Sequence, residues 1–250
     1  MKTKTTDRNP ASYAVVMGAS SGIGMEMARL LITHGWHVGV AARRIERLKE
    51  LVTMAPDRVM AARIDVNDDN ADNSLTQLIS RLGGMNLYIH ASGIGKQNQE
   101  LNARIELDTV TTNAGGFCRM IGAAFRYLAQ HGGGHIAALT SIAGTRGMGA
   151  APAYSATKAM QNSYLEALDQ LSRMRHLGIA FTDIRPGFVN TDLLADCHFP
   201  MTMNVVPVAQ AAVKAIYRHR RVRVIDLRWR IVTALWQLIP HSLWPRLHIR

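Results

Sequence analysis

The stretch YAVVMGASSGIG, residues 13–24, decides the fold class of this chain. It runs from a short apolar segment into a glycine-rich turn and then into a helical pattern. A turn this tight needs glycine where backbone angles or the close approach of a ligand exclude a Cβ atom. The helix that follows offers free N–H groups and the positive end of its dipole to a pyrophosphate. The spacing Gly-x-x-x-Gly-x-Gly is a variant of the dinucleotide-binding fingerprint. The alternative is a purely structural tight turn.

Short apolar runs alternate with longer helical patterns along the rest of the chain, which is typical of βαβ units. We expect strands at 13–18, 37–42, 58–64, 87–92, 135–141, 179–186 and 221–227. Helices are expected at 22–34, 46–53, 71–82, 109–131, 152–177 and 207–219. The predicted fold is α/β: a doubly wound Rossmann domain with a single parallel sheet of about seven strands and helices on both faces. Residues 1–227 form this domain, and 228–250 form a basic, tryptophan-containing helical extension of it.

Composition excludes several classes of protein. The chain has 250 residues, of which 48% are hydrophobic and 19% charged, so it is globular with ample material for a core. Its two cysteines, Cys118 and Cys197, are too few for a disulfide framework and have no metal-ligand spacing, so we expect no metal site. No apolar run has the length of a signal peptide or of a membrane-spanning helix, which favours a cytoplasmic protein.

Several residues of the first turn and of the second strand's end are candidates for cofactor binding. Those in the turn are Gly18, Ser20, Ser21, Gly22, Ile23 and Gly24. After the second strand stand Arg43 and Arg44, with no acid. An acid there would bind the ribose hydroxyls of NAD, whereas arginine accommodates the 2′-phosphate of NADP. We therefore predict NADP(H) in preference to NAD(H); a solvated basic start to the next helix is the alternative.

Two further patterns point to a binding site. Asp65-Val66 follows the third strand, where Asp65 could accept a hydrogen bond from an adenine amino group or simply precede a helix. Tyr154 and Lys158 are four residues apart, so they share one face of a helix. An ammonium beside a phenol favours the phenolate and lowers its pKa from about 10. On the spacing alone, a surface helix with an ordinary tyrosine and a solvated lysine is the favoured alternative.

Together these residues resemble the short-chain dehydrogenase/reductase family over residues 13–217. The matching motifs are the glycine turn, Asp65-Val66, Gly93, Asn113, Ser141 thirteen residues before Tyr154, Lys158, Pro186-Gly187 and Thr191. Two positions depart from the family pattern. Met17 stands where a hydroxyl residue is common, and His90-Ala91-Ser92-Gly93 replaces Asn-Asn-Ala-Gly, so sheet-bracing hydrogen bonds are in doubt. His90 is expected to be a packed strand residue.

The resemblance implies a catalytic set of four residues. Tyr154 would exchange a proton with a carbonyl or alcohol oxygen, and Ser141 would hold that oxygen beside the phenol. Lys158 would depress the pKa of the phenol and bind the nicotinamide ribose. Asn113 would anchor a water that links Lys158 to solvent.

The resemblance also places a second set of residues near the nicotinamide: Gly93, Pro186, Gly187, Val189 and Thr191. Thr191 and the backbone near Val189 would bind the carboxamide. Residues 192–206 would form a substrate lid whose apolar side chains either shape a pocket or pack the loop down. The side chains in question are Leu193, Leu194, Phe199, Met201 and Met203. Gln97 and Asn98 lie beside the same opening.

The C-terminal segment, residues 218–250, carries eight arginines and a single acid, Asp226. It therefore supplies most of the net charge of +11 of the whole chain. Its apolar and tryptophan residues are interspersed with arginine. Such a helix packs on its own domain or at a homo-oligomer interface, or it lies in a membrane interface. Nucleic-acid binding has little support, because arginines occur here without a binding motif.

The resulting interpretation is an NADP(H)-dependent oxidoreductase that transfers a hydride between nicotinamide and a carbonyl or secondary alcohol, with an apolar or lipid-like substrate. Candidates are 3-oxoacyl thioesters, lipid-like or steroid-like ketones and small aromatic carbonyls. A homodimer or homotetramer is expected, with the helices at 109–131 and 152–177 at its interface. The alternatives are a redox sensor that binds the dinucleotide without turnover, and a membrane-surface adaptor.

Overall fold

Seven parallel strands form one sheet in the order β3-β2-β1-β4-β5-β6-β7. The structure is a computed structural model and describes residues 12–191, 199 and 201–247. The strands are β1 (Tyr13–Met17), β2 (His37–Ala42), β3 (Val59–Arg63), β4 (Leu87–His90), β5 (Gly134–Leu139), β6 (Ile179–Pro186) and β7 (Val222–Ile225). The helices are α1 (Gly22–Thr33), α2 (Lys49–Met54), α3 (Ala71–Leu82), α4 (Ala103–Val110), α5 (Phe117–Gln130), α6 (Pro152–Met174), α7 (Val205–Tyr217) and α8 (Leu227–Leu238). The predicted fold class is confirmed.

Both faces of the sheet are covered, which explains why its central strands read as unbroken apolar runs. In β1, Val16 points to a core cluster that includes α1 and α7, whereas Val15 points to a second cluster that includes α3 and α5. Strand order reverses between β1 and β4. In open α/β sheets, ligands bind outside the carboxyl ends of the strands at such a reversal.

The long helix that we expected at 109–131 is longer and interrupted. It begins at Ala103, because the side chain of Asn102 accepts hydrogen bonds from the N–H groups of Arg104 and Ile105 and so caps the helix. Between α4 and α5, residues Thr111–Gly116 form a π-helical segment. Such segments are frequent at functional sites because they change the direction of a side chain within a continuous helix.

Helix α8 packs on its own domain. Asp226 caps its start by accepting a hydrogen bond from the N–H of Arg228, and Trp229 is buried on its inner face with only 2% of its surface exposed. At the other end, the guanidinium of Arg146 donates to the carbonyl oxygens of Trp236, Gln237 and Ile239. Arg146 thereby supplies donors at the C-terminal end of the helix, where the last carbonyl groups lack the N–H partners of a continuing helix.

Within the described ranges, none of the helices combines the length and the apolar character that crossing a bilayer requires.

Candidate active site

The glycine turn contacts the loop after β4 so closely that side chains are excluded at two positions. A Cβ on Gly18, whose φ is +89°, would lie 2.6 Å from the backbone nitrogen of Ser92. A Cβ on Gly24 would collide with the carbonyl oxygen of Gly18. The N–H of Gly18 donates to the carbonyl oxygen of Ala41 at 2.8 Å, which holds the turn beside the end of β2.

The start of α1 is open to a ligand. Ser21 occupies the N-cap position with an extended backbone, and its side chain makes no capping hydrogen bond within the described residues. The first N–H groups of α1, those of Gly22 and Ile23 among them, therefore remain available for a phosphate. A Cβ on Gly22 would lie 3.2 Å from the Cγ2 of Thr191, so this turn and the segment after β6 meet across the crevice. Ser20 is half-buried in the same turn.

Positive charge lies beside the glycine turn. The Arg44 guanidinium reaches the Ser21 hydroxyl at 3.4 Å, and Arg43 is exposed next to it. No acid follows β2 before Glu46. The residues beside the turn are therefore of the kind that can hold a phosphate group of a dinucleotide.

Asp65 and Val66 lie in the loop after β3, near the same edge of the sheet. The Oδ1 atom of Asp65 accepts from the N–H of Asn67 at 3.1 Å, and the carbonyl of Val66 accepts from Arg119 at 2.9 Å. Val66 is buried against Gly116, where a Cβ would come within 2.7 Å of its side chain. The loop is thus fixed to the helix that carries Asn113.

The side chain of Asn113 binds the loop after β4. Its Oδ1 accepts from the N–H of Ile94 at 2.9 Å, and its Nδ2 donates to the carbonyl of Ile94 at 2.7 Å. A Cβ on Gly93 would lie 3.3 Å from that Oδ1 and 3.6 Å from the Nζ of Lys158. Glycine at position 93 therefore lets the loop lie close to both Asn113 and Lys158.

Tyr154 and Ser141 meet at the carboxyl end of β5. Burial raises the pKa of the Tyr154 phenol, and a hydrogen bond with the Ser141 side chain lowers it. Ser141 is held in turn by the N–H of Ala143, which donates to its Oγ at 3.0 Å. The backbone of Gly95 lies against the phenol ring, since a Cβ there would come within 2.6 Å of the ring.

The ammonium of Lys158 lies over the phenol ring of Tyr154. Its Nζ is 5.6 Å from the centroid of the Tyr154 ring and donates to the carbonyl of Leu139 at 3.1 Å and to the Oε1 of Gln161 at 3.0 Å. Burial lowers the pKa of Lys158 to about 8, while Asp183 raises it. Burial is thus the larger of the two effects on the pKa of the Tyr154 phenol.

His90 is a buried strand residue, as the sequence predicted. Its Nδ1 shares a hydrogen bond of 3.1 Å with the hydroxyl of Tyr88, and its ring packs edge-on against Phe117. Burial, together with the charge of Lys158, lowers the pKa of His90 to about 3, although the Ser92 backbone opposes this. His90 is therefore neutral and faces the same interior region as Lys158.

The segment after β6 completes the crevice. The N–H of Gly187, directly after Pro186, donates to the carbonyl of Ile225 at 3.0 Å. Val189 is buried, and the segment runs beside Met203, whose carbonyl accepts from the N–H of Asn190 at 2.9 Å. Leu193 and Leu194 of the expected lid lie outside the described residues.

Sequence reasoning missed three residues of this region. Gln161 is completely buried and joins Lys158 to the carbonyl of Asn113. Trp229 covers Gly187, and Arg146 holds the C-terminal end of α8. A signal existed for Gln161, because it lies three residues after Lys158 on the same helical face. For Trp229 and Arg146 the partners are distant in sequence, and no local pattern indicates them.

Comparisons with known proteins identify the family. The family model described as short chain dehydrogenase matches residues 12–198. An uncharacterized oxidoreductase of Myxococcus xanthus is 31% identical over 75% of this chain and 76% of its own length. Another, of Mycobacterium tuberculosis, is 30% identical over 90% of this chain and 93% of its own.

Among solved structures, a short chain dehydrogenase from Burkholderia cenocepacia in complex with NADP superimposes with a TM-score of 0.82. It is 19% identical, and the match covers 96% of this chain and 98% of that one. The fold is therefore shared well beyond the similarity of the sequences. On the extent of the family match, this chain belongs to the short-chain dehydrogenases/reductases, which are NAD(P)-dependent oxidoreductases.

Proposed function

We propose that this protein is an NADP(H)-dependent carbonyl reductase or alcohol dehydrogenase in which Tyr154 is the acid/base. The observation that carries the proposal is the hydrogen bond between the side chains of Tyr154 and Ser141. The ammonium of Lys158 lies 5.6 Å from the centroid of the same phenol ring. The open start of α1 lies across the same crevice. This arrangement supports a proton donor next to a dinucleotide site.

In this proposal the bound nicotinamide supplies the hydride, and the protein supplies the proton and the orientation. The hydroxyl of Ser141 holds the substrate oxygen beside the phenol, and Tyr154 donates its proton to that oxygen as the alcohol forms. Lys158 stabilises the phenolate that remains, because its charge is held in a buried site where electrostatic interactions are strong. Asn113 fixes the loop that approaches the reacting groups.

The preference for NADP(H) rests on the arginines after β2. Arg44 already lies against Ser21 of the phosphate-binding turn, and arginine binds phosphate through paired N–H donors. The Burkholderia cenocepacia structure contains NADP. Asp65 remains a candidate for the adenine, and Pro186, Gly187, Val189 and Thr191 for the nicotinamide.

The proposed substrate is an apolar, lipid-like carbonyl compound. Phe188 stacks on Phe199 with ring centroids 4.0 Å apart, and Phe188 contacts Trp229 edge-on. This aromatic group adjoins the Pro186-Gly187 turn, so an apolar wall lies near the proposed nicotinamide position.

The test is a panel of carbonyl substrates with NADPH absorbance as the readout. We expect turnover with medium-chain or cyclic ketones and weaker turnover with small polar ones. Tight NADPH binding without turnover of any substrate would instead favour the redox-sensor alternative.

We also propose a cytoplasmic homodimer or homotetramer in which the outer face of α6 is covered. Ala156 and Ala159 are exposed there, and small residues allow two helices to approach closely. Light scattering on the purified protein tests this. We expect a mass of at least two chains, and an Ala159→Glu variant that is monomeric.

The outer face of α8 is proposed to contact an anionic lipid surface. We propose that residues 1–227 hold the cofactor and the catalytic groups, and that 228–250, which include most of α8, extend the same domain. An exposed apolar stripe follows one side of the helix: Leu227, Ile231, Leu235 and Leu238. At 100° per residue, Arg228 and Arg230 flank it. A second copy of the chain would bring a surface of the same positive charge.

Because Trp229 is part of the core, removal of α8 would damage the fold, and outward substitutions make a better test. We expect the protein to float with phosphatidylglycerol vesicles at low salt and not with pure phosphatidylcholine. The double variant Ile231→Asp, Leu235→Asp should remain in the soluble fraction. If that variant changes the mass in light scattering while the parent never floats, the stripe is a protein interface instead.

A further inference from the structure

The side chain of Gln161 occupies the space between Lys158 and the backbone of Asn113. Its Oε1 accepts from the Nζ of Lys158 at 3.0 Å, and its Nε2 donates to the carbonyl oxygen of Asn113 at 2.8 Å. Gln161 has no exposed surface. The amide orientation follows from these partners, because the reversed orientation would set NH2 against the ammonium and oxygen against the carbonyl.

This contact determines how Lys158 is held. An ammonium has three N–H donors, and two of them are directed to the carbonyl of Leu139 and to Gln161. The third has no hydrogen-bond partner among the described residues, and Nζ lies 5.6 Å from the centroid of the Tyr154 ring. The contact to Gln161 also satisfies part of the buried charge, which would be costly without partners.

The same contact changes the expected route of the proton. The family resemblance predicts a water at Asn113 that links Lys158 to solvent. Here an amide group joins the Asn113 carbonyl to Lys158 directly. A water or a hydroxyl accepts one proton while it releases another, whereas a neutral carboxamide neither gains nor loses a proton near neutral pH.

We propose that Gln161 is a positioning residue that holds the Lys158 ammonium and closes the proton route behind it, so that Tyr154 is reprotonated from the crevice side. The inference rests on the proposed function of Tyr154. The O–H bond of Tyr154 breaks as the O–H bond of the product alcohol forms. The tyrosinate then takes a proton from a solvent acid that enters the crevice past Ser141.

Two variants of Gln161 separate this role from simple packing. Gln161→Leu removes one acceptor from the ammonium, which favours the neutral amine. Gln161→Glu keeps an acceptor and adds a negative charge, which favours the ammonium. Gln170, exposed on the same helix, provides the matched control as Gln170→Leu. The ionisable groups that face Lys158 are Tyr154 of its own helix, His90 of β4 and Asp183 of β6, and all three are unchanged in these variants.

The first experiment follows the ionisation of Lys158 without turnover, by NMR titration of protein labelled at the lysine Cε carbon. The Lys158 signal is identified by its loss in Lys158→Met. Loss of a hydrogen bond to a charged group should lower the titration midpoint by about one pH unit in Gln161→Leu. Gln161→Glu should raise the midpoint, and Gln170→Leu should leave it unchanged. Equal midpoints in folded Gln161→Leu and the parent would overturn the positioning role, and if Gln161→Leu does not fold, the Gln161→Glu midpoint decides.

The second experiment concerns the proton route and uses rates in mixtures of H2O and D2O. The parent should show a linear dependence on deuterium fraction, as expected for transfer of the single Tyr154 proton. Gln161→Ala, which leaves room for a water between Lys158 and Asn113, should show a curved one. A curved dependence of the parent's rate on deuterium fraction would contradict the proposal that Gln161 closes the proton route behind Lys158. If no substrate is turned over at all, the proposed function fails while the titration still decides the role of Gln161.

Discussion

The indole of Trp229 occupies the space that a side chain at residue 187 would need. A Cβ on Gly187 would collide with the Nε1, Cδ1 and Cε2 atoms of that ring. Gly187 directly follows β6 and lies 42 positions before Trp229 in the sequence. The C-terminal helix is therefore in direct contact with the turn that we assign to the nicotinamide.

This contact predicts the effect of a single methyl group. Gly187→Ala should lower the free energy of unfolding by about 1–3 kcal/mol, because the added Cβ forces the buried indole out of place. Gly149→Ala is the matched control, since a Cβ there meets nothing within 4 Å. Denaturant unfolding of both variants provides the measurement. Equal midpoints for the two variants would show that α8 is not packed as described.

Cofactor preference should depend on the arginine beside the glycine turn. Arg44→Ala removes a charged hydrogen-bond donor next to Ser21, so the Kd for NADPH should rise at least about tenfold. The Kd for NADH should change little, since NADH has no 2′-phosphate. Fluorescence titration with both cofactors measures this, with Arg81→Ala on α3 as the control. An equal loss of affinity for NADH and NADPH would contradict the assignment of Arg44 to the 2′-phosphate.

The rate of ketone reduction should fall as the pH rises through the titration of Lys158. Burial lowers the pKa of Lys158 to about 8, so the stabilising ammonium is lost above that pH. Tyr154 should not limit the rate first, because burial raises the pKa of its phenol from its usual value near 10. The measurement is kcat/KM against pH, in which Lys158→Arg should lack the decline near pH 8. A parent profile that is flat to pH 10 would contradict the assigned role.

His90 should make the fold sensitive to acid. Its pKa is about 3 in the folded chain, against a usual 6.5, so the unfolded chain takes up the proton first. Stability is therefore complete above pH 6.5 and is lost as the pH falls towards 3. His90→Asn should reduce the slope of unfolding free energy against pH in this window by up to about 1.4 kcal/mol per pH unit.

The comparison for that prediction is His176→Asn, which changes an exposed histidine and should leave the slope as it is. Urea unfolding at a series of pH values gives both slopes. Identical slopes for the parent and His90→Asn would show that His90 is not held neutral in the folded chain.

The sequence predicted the parts of this molecule that depend on local patterns. The strand–turn–helix around Gly18–Gly24 follows from an apolar run before a glycine-rich turn, and the shared helical face of Tyr154 and Lys158 follows from their separation of four residues. The parallel sheet follows from the alternation of apolar and helical runs. Gln161 was missed because its second partner, the Asn113 carbonyl, is 48 residues away. Asn113, within the π-helical segment, likewise has its partner in the loop after β4, 19 residues away.

In the C-terminal segment, too, the sequence alone did not predict which side chains are buried. Its composition indicated a helix with one face against a protein or membrane surface, and the structure shows a buried face and an exposed apolar face. Trp229 is a core residue, whereas Ile231 and Leu235 face outward. Trp229 is buried because it contacts Gly187 and Phe188. Those residues are distant in sequence, so the helical pattern of 227–238 alone does not predict which tryptophan is buried.

We propose that the phenol of Tyr154 transfers the proton in the reaction, and the turnover of Tyr154→Phe tests this most directly. Removal of the hydroxyl should lower kcat for ketone reduction by about 10²–10⁴-fold. Binding of NADPH, measured by fluorescence on the same sample, should stay within about twofold, because the proposed dinucleotide site consists mainly of the glycine turn and Arg44. If kcat stays within about tenfold of the parent while NADPH still binds, Tyr154 is not the proton donor.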